Sequence, residues 1–301
     1  MKTSEWTHAM VAQAGLDPAY VDEVVHRAIE EDLDGGVDVT SVATVPFDQQ
    51  GFAQVVARAA GTLAGLPVAV AVLDAVTEGA VEIDVHFDDG DLVTPGAVLM
   101  TATALTRQLL TAERTLLNLL CHLCGIATAT RAWVDALEGT GAAVRDTRKT
   151  TPGLRELEKY AVRCGGGLNH RMSLSDAALV KDNHVVAAGG VAAAYQAVRA
   201  TYPDLSVQVE CDTVAQVEEA VAAGADLVLL DNMTVDQLRE AVRVTAGRAR
   251  LEASGGLTLA NAREVAATGV DFVAVGALTH SAPILDIGID LELLAPPRRE
   301  G

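Results

Sequence analysis

From about residue 140 onward the chain alternates short aliphatic runs with amphipathic stretches, and most runs end on a polar or glycine residue. Ala142-Ala-Val leads to Asp146-Thr-Arg-Lys, Ala177-Ala-Leu-Val to Lys181, and Leu205-Ser-Val-Gln-Val to Glu210. Leu227-Val-Leu-Leu leads to Asp231, Ala249-Arg-Leu-Glu-Ala to Ser254-Gly-Gly, and Phe272-Val-Ala-Val to Gly276. Each interval holds one helix and its return, with helices predicted over 213–223, 234–245 and 258–268, opened by threonine caps and closed near glycine. A repeated strand-then-helix unit implies parallel strands with right-handed crossovers, in an open sheet or a barrel. Charged residues at consecutive carboxyl ends favour the barrel, whose enzymes keep their sites on that face; an open sheet also binds there.

The first 110 residues follow a different pattern. A helix is predicted over 21–31, then strands over 51–58, 81–87 and 98–104, broken by Asp88-Asp-Gly-Asp91 and Thr94-Pro-Gly96. This is the signature of an α+β domain. A helical stretch over 111–137 follows, and the alternation of 285–293 reads as a strand returning to the first domain. The expected division is 1–118, joined by 285–301, and 119–284.

Composition narrows the function. The 301 residues are 50% hydrophobic but only 3% aromatic, the aliphatic material of helix-covered parallel sheets. With 22 basic against 41 acidic residues the chain lacks the basic stripe that nucleic-acid binding requires. The N-terminus carries no export pattern, and the longest apolar run, 64–73, is too short to span a membrane, so a cytoplasmic location is expected. Cys121-His-Leu-Cys124 has the spacing of a redox or zinc motif, but it lies in a very apolar helix with no second pair to complete a zinc site.

Against a net charge of −19, Arg148, Lys149, His170, Arg171 and Lys181 fall within one short region. Such a cluster points to a pocket for a compact, highly charged anion, with arginine forks for carboxylate or phosphate and lysines as point charges. The three glycines before Asn169-His170 let backbone approach a ligand, and the imidazole is a candidate donor to a carboxylate. Glu210 and Asp231 end successive strands, which suits Mg²⁺ shared with a phosphate, acid–base work, or ion pairs to Lys149 or Lys181. Ser254-Gly-Gly256 and Gly276-Ala-Leu-Thr-His280 sit where barrels place a phosphate grip.

Together these motifs resemble the quinolinate phosphoribosyltransferase family over almost the whole chain. The resemblance is carried by Glu31-Asp-Leu, Thr111-Ala-Glu-Arg-Thr-Leu-Leu-Asn118, Gly125-Ile-Ala-Thr128, Asp146-Thr-Arg-Lys-Thr150, Tyr160-Ala-Val and Gly165-Gly-Gly-Leu-Asn-His-Arg171. It continues through Lys181-Asp-Asn-His184, Leu229-Leu-Asp-Asn232, Glu252-Ala-Ser-Gly-Gly256 and Val275-Gly-Ala-Leu-Thr-His280. It implies an N-terminal α/β sandwich domain, an incomplete barrel of fewer than eight strands, and a homodimer with sites at the subunit interface. The implied reaction joins quinolinate to phosphoribosyl pyrophosphate, giving nicotinate mononucleotide, pyrophosphate and CO₂ on the de novo route to NAD.

By the same resemblance Arg148, His170, Arg171 and Lys181 hold the two carboxylates, with Arg114 supplied by the partner subunit. Lys149, Glu210 and Asp231 serve phosphoribosyl pyrophosphate and Mg²⁺, and Ser254, Gly255, Gly276 and His280 surround the 5′-phosphate. Three positions depart from the family pattern: Cys121 and Cys124 replace polar or small residues, and Gln208 stands where an acidic residue often occurs. A related group associated with molybdenum-transport operons is the alternative, as is a non-catalytic anion-binding protein on the same fold. The intact Lys149, Lys181, Glu210, Asp231 set speaks against the latter.

Overall fold

The computed structural model describes residues 3–295, so the last six residues of the expected returning segment, 296–301, lie outside the described residues. The chain forms two compact units. Among the described residues the first comprises 3–128, 152–165 and 282–295; the second comprises Ala129–Thr151 and Gly166–Ser281. In chain order the strands are β1 (Gln50–Ala57), β2 (Gly61–Thr62), β3 (Glu82–Val85), β4 (Leu92–Val93), β5 (Val98–Leu105) and β6 (Ala143–Arg145). They continue with β7 (Ala178–Val180), β8 (Val207–Cys211), β9 (Leu227–Asp231), β10 (Arg250–Ser254), β11 (Phe272–Ala274) and β12 (Ile287–Leu293).

In the first unit, β12, β1, β5 and β3 form an antiparallel sheet in that order. The alternation of 285–293 does return a strand to this unit: β12 pairs with Gly51–Ala57 of β1, with Val55 opposite Ile289 and Ala53 opposite Leu291. Alternate residues Ala53, Val55, Met100, Ala102 and Ala104 are buried, as one apolar face requires. The apolar run 64–73 becomes the helix Leu66–Thr77, whose residues are nearly all buried. No residue of that helix caps its start; the Asp89 carboxylate does so, accepting from the amides of Gly65 at 2.7 Å and Leu66 at 3.1 Å.

The helix expected over 111–137 begins earlier, spanning Thr106–Leu137. Cys121 and Cys124 are free and buried in it, and Cys124 Sγ lies 3.3 Å from both the amide and the carbonyl of Ala64. Burial pushes both thiols up, away from the reactive thiolate.

The second unit contains six parallel strands in the order β6, β11, β10, β9, β8, β7. All six match the aliphatic runs. Between the ends of the sheet, Leu168 forms a single parallel bridge to Arg145 of β6, leaving an incomplete (β/α) barrel. One set of alternate positions is apolar and buried: Val144, Val273, Leu251, Ala253, Val228, Leu230, Val207 and Val209. The other set carries Arg145, Glu252, Ser254, Leu229, Asp231, Gln208 and Glu210, so the sheet is oily on one face and chemical on the other.

The helices Val214–Ala222, Val235–Thr245 and Leu259–Ala266 are capped by Thr213, Thr234 and Thr258, each reciprocated by Gln216, Gln237 or Asn261 in a capping box. Each cap is worth about 1 kcal/mol. They close on Ala223, Ala246 and Ala267 rather than on glycine, and Gly224, Gly247 and Gly269 follow one or two residues later at positive φ. The caps fix where each strand stops and therefore which residues face the barrel mouth.

Candidate active site

At the carboxyl ends of the second unit's strands lies a cavity of about 380 Å³. Thr147, Arg148, Lys149, His170, Arg171, Leu179, Lys181, Glu210, Leu229, Asp231, Glu252, Ser254 and Ala274 line it. Parallel register explains the assembly. Glu252 pairs with Leu229 and Ser254 with Asp231, while Glu210 also pairs with Leu229, so the polar positions of neighbouring strands form rows on one face.

Arg148 and Arg171 both line the pocket, close enough for their charges to oppose each other, with Asp176 partly offsetting the charge of Arg171. Burial, and then the nearby Arg148 charge, hold the Arg171 guanidinium below its ordinary value. Arg148 Nε is buried without a hydrogen-bond partner, a costly state for a cationic donor that an incoming anion would relieve. Arg171 Nη1 donates to the carbonyl of Ala177 at 2.9 Å, which fixes the fork at one corner.

Glu210 and Lys181 form an ion pair at 3.5 Å, Glu210 mostly buried and Lys181 exposed. Desolvation raises the Glu210 carboxyl above its ordinary value; Lys181 opposes that rise and Asp231 adds to it. Asp231 accepts from Asn232 Nδ2 at 2.6 Å. A Cβ added to Gly255, at φ +86°, would meet Asn232 Oδ1 at 2.1 Å, so the glycine permits the Asn232–Asp231 contact.

Lys149, Gly276 and His280 are close together: a Cβ on Gly276 would meet Lys149 Cδ at 3.0 Å and His280 Nε2 at 3.4 Å. Thr279 Oγ1 donates to the Lys149 carbonyl at 2.8 Å and ties the two loops. Gly255, Gly276 and His280 are not part of the cavity lining, and the helix that Gly276 opens has only four residues. Arg114 is exposed on the helix Thr106–Leu137, in the first unit.

Below the pocket runs a buried polar layer. Glu252 and Asp146 are fully buried, and Gln208 is 2% exposed. Arg145 Nη1 meets Glu252 at 2.6 Å, and Asp146 accepts from the His170 amide at 2.8 Å and Asn169 Nδ2 at 2.6 Å.

Two family models cover the chain: the N-terminal domain of quinolinate phosphoribosyl transferase matches residues 38–124 and its C-terminal domain residues 126–290. The chain belongs to the quinolinate phosphoribosyl transferase family. It is 52% identical over 274 residues to a Mycobacterium leprae protein named nicotinate-nucleotide pyrophosphorylase [carboxylating], covering 89% of this chain and 96% of that one. It is 40% identical to a Bacillus subtilis protein named as a probable enzyme of the same kind, over 87% of this chain and 90% of the other. A crystal structure of NadC from Streptococcus pyogenes superposes with a TM-score of 0.89 at 41% identity, covering 93% of this chain and 99% of that chain.

Within this family fold, the sequence pattern by itself did not single out Thr147, Leu179, Leu229, Glu252 and Ala274 as pocket residues. A period of two would have found four of them. Leu179, Leu229, Glu252 and Ala274 each stand two residues before a strand-end residue (Lys181, Asp231, Ser254 and Gly276) and so point the same way.

Proposed function

We propose that this pocket joins quinolinate to phosphoribosyl pyrophosphate and releases nicotinate mononucleotide, pyrophosphate and CO₂, as a transferase of de novo NAD biosynthesis. The paired Arg148 and Arg171, with a buried Nε lacking a partner, carry the reading. They suit two adjacent carboxylates on one planar ring. Arg148, Arg171 and Lys181 hold those carboxylates with His170 beside them, and Arg114 of the partner subunit completes the set in a homodimer or a higher assembly built from it. Lys149 stands at the pyrophosphate end, and Ser254, Gly255, Gly276 and His280 take the 5′-phosphate.

No side-chain nucleophile is required. As the bond from the ribose anomeric carbon to pyrophosphate breaks, positive charge spreads over the ring oxygen, and the quinolinate nitrogen attacks from the opposite side. Lys149 and Lys181 neutralise the departing charge, and Leu179, Leu229 and Ala274 help keep water from the cation. The pyridinium then accepts the electron pair left when the adjacent carboxylate departs as CO₂. A solvent proton closes the ring position.

Glu210 and Asp231 fit Mg²⁺. They present carboxylate oxygens from neighbouring strands, and among the described residues no cluster of three or more His, Cys, Asp or Glu could hold a metal alone. Two carboxylates with phosphate oxygens completing the shell is the manner in which Mg²⁺ is usually held. When bound it supplies positive charge to the leaving pyrophosphate. Among the described residues no helix is long and apolar enough to cross a membrane, in keeping with work in the cytoplasm.

The test is stoichiometric. Quinolinate labelled in the 2-carboxylate, with phosphoribosyl pyrophosphate, should give labelled CO₂ and pyrophosphate in equal amounts. Pyrophosphate without CO₂ would sink the decarboxylating assignment.

A further inference from the structure

The Arg171 backbone amide lies 2.7 Å from His170 Nδ1. A backbone N–H only donates, so Nδ1 must offer a lone pair, and the proton of a neutral ring then sits on Nε2. Nε2 lies 2.6 Å from Gln208 Oε1 and 3.5 Å from Glu252 Oε1. The amide of Gln208 has its own constraint. Glu252 beside it is fully buried and pairs with Arg145 at 2.6 Å. A buried carboxylate accepts hydrogen bonds, so Gln208 turns its nitrogen toward Glu252 and its oxygen toward His170. Gln208 Nε2 and Glu252 Oε1 are both buried without a hydrogen-bond partner. Burial raises the Glu252 carboxyl, and Arg145 and then the Gln208 amide pull it back down.

We propose that Gln208 is a positioning residue: oriented by Glu252, it locks His170 as the neutral Nε2–H tautomer, whose Nδ1 anchors the Arg171 amide and so sets that arginine near Arg148. The relay runs Arg145, Glu252, Gln208, His170, Arg171, from the buried layer to the pocket rim. His170 thereby serves the anion site by fixing Arg171. This deepens the quinolinate reading and rests on it for the identity of the anion. An acidic side chain at 208 would accept equally well from Nε2–H but would place a second carboxylate beside Glu252; the amide supplies the acceptor without that charge.

Histidine ¹H–¹⁵N correlation spectra at pH 7.5 test the lock directly, with a His170→Gln variant used only to assign the signal among seven histidines. The expected His170 signature is a protonated Nε2 with an unprotonated Nδ1. An Nδ1–H tautomer or an imidazolium would overturn the proposal. In Gln208→Met, of similar size but without the acceptor, the Arg171 amide still holds Nδ1 unprotonated while Nε2–H loses its partner, so the Nε2–H resonance should shift and exchange faster with solvent. The KM for quinolinate should then rise roughly fivefold or more while that for phosphoribosyl pyrophosphate stays within about twofold. An unchanged quinolinate KM, or an equal rise in both, would also overturn it. Should Gln208→Met fail to fold, the wild-type spectrum decides alone. The tautomer is read without turnover, so a chain that does not consume quinolinate refutes the proposed reaction and leaves this test standing.

Discussion

Replacing Arg171 by methionine isolates the anion site from the rest of the pocket. The stem volume is nearly kept, while one of the two pocket guanidiniums is removed. The lost contact is charge-assisted, and each such bond is worth about 1.5–3 kcal/mol. Arg148 still reaches the ring, so the expected rise in quinolinate KM is roughly 10- to 100-fold, at about 1.4 kcal/mol per tenfold. The KM for phosphoribosyl pyrophosphate should barely move. Without ligand, burial and Arg148 disfavour the Arg171 charge while Asp176 and the bond to the Ala177 carbonyl favour it, so the variant should melt close to the wild-type temperature. Steady-state kinetics in both substrates and a thermal melt decide the matter. A lower melting temperature, or an equal rise in both KM values, would show that Arg171 supports the fold rather than the anion.

Four further outcomes follow from the same geometry. Asp231→Asn should raise the Mg²⁺ requirement while leaving quinolinate binding nearly intact, and EDTA should abolish activity; full turnover in EDTA would remove the metal. Gly255→Ala should force Asn232 off Asp231 and cost about 1–3 kcal/mol, read by denaturation, with unchanged stability contradicting the contact. Glu210 has a folded-state value raised above its ordinary 4.5, so the folded protein holds that proton more tightly and loses stability as pH climbs past 4.5. Glu210→Gln should therefore raise the melting temperature at pH 7 and leave it unchanged at pH 4; a gain that persists at pH 4 would point to another cause. Mixing inactive Arg114→Ala and Lys181→Ala subunits should restore about one quarter of wild-type activity if Arg114 serves its partner, and none if it serves its own subunit.

Much of the fold was legible because local signals agreed. Six aliphatic runs became six parallel strands, and threonine at 213, 234 and 258 marked helix starts. Other elements left weaker traces. The run 64–73 is apolar on every side, because the helix Leu66–Thr77 is buried all round, and such a run carries no periodicity to distinguish helix from strand. The cationic half of the site was visible because charges at strand ends stand out against an acidic chain. Glu252 and Gln208 did not, since a polar residue alternating with apolar ones in a strand ordinarily means a solvent-facing side. Here that side faces a buried layer and a pocket, a fact that depends on the sheet closing toward a barrel. Arg148 Nε and the His170 ring depend likewise on which partners tertiary packing supplies.

The most direct test compares quinolinate with nicotinate, which lacks the 2-carboxylate, in a continuous pyrophosphate-release assay at substrate concentrations well below KM. If Arg148 and Arg171 hold the two carboxylates as proposed, quinolinate should be used at least about 100-fold better, the loss of one or two charge-assisted contacts. Comparable release with nicotinate would contradict the claim that the two arginines define the substrate.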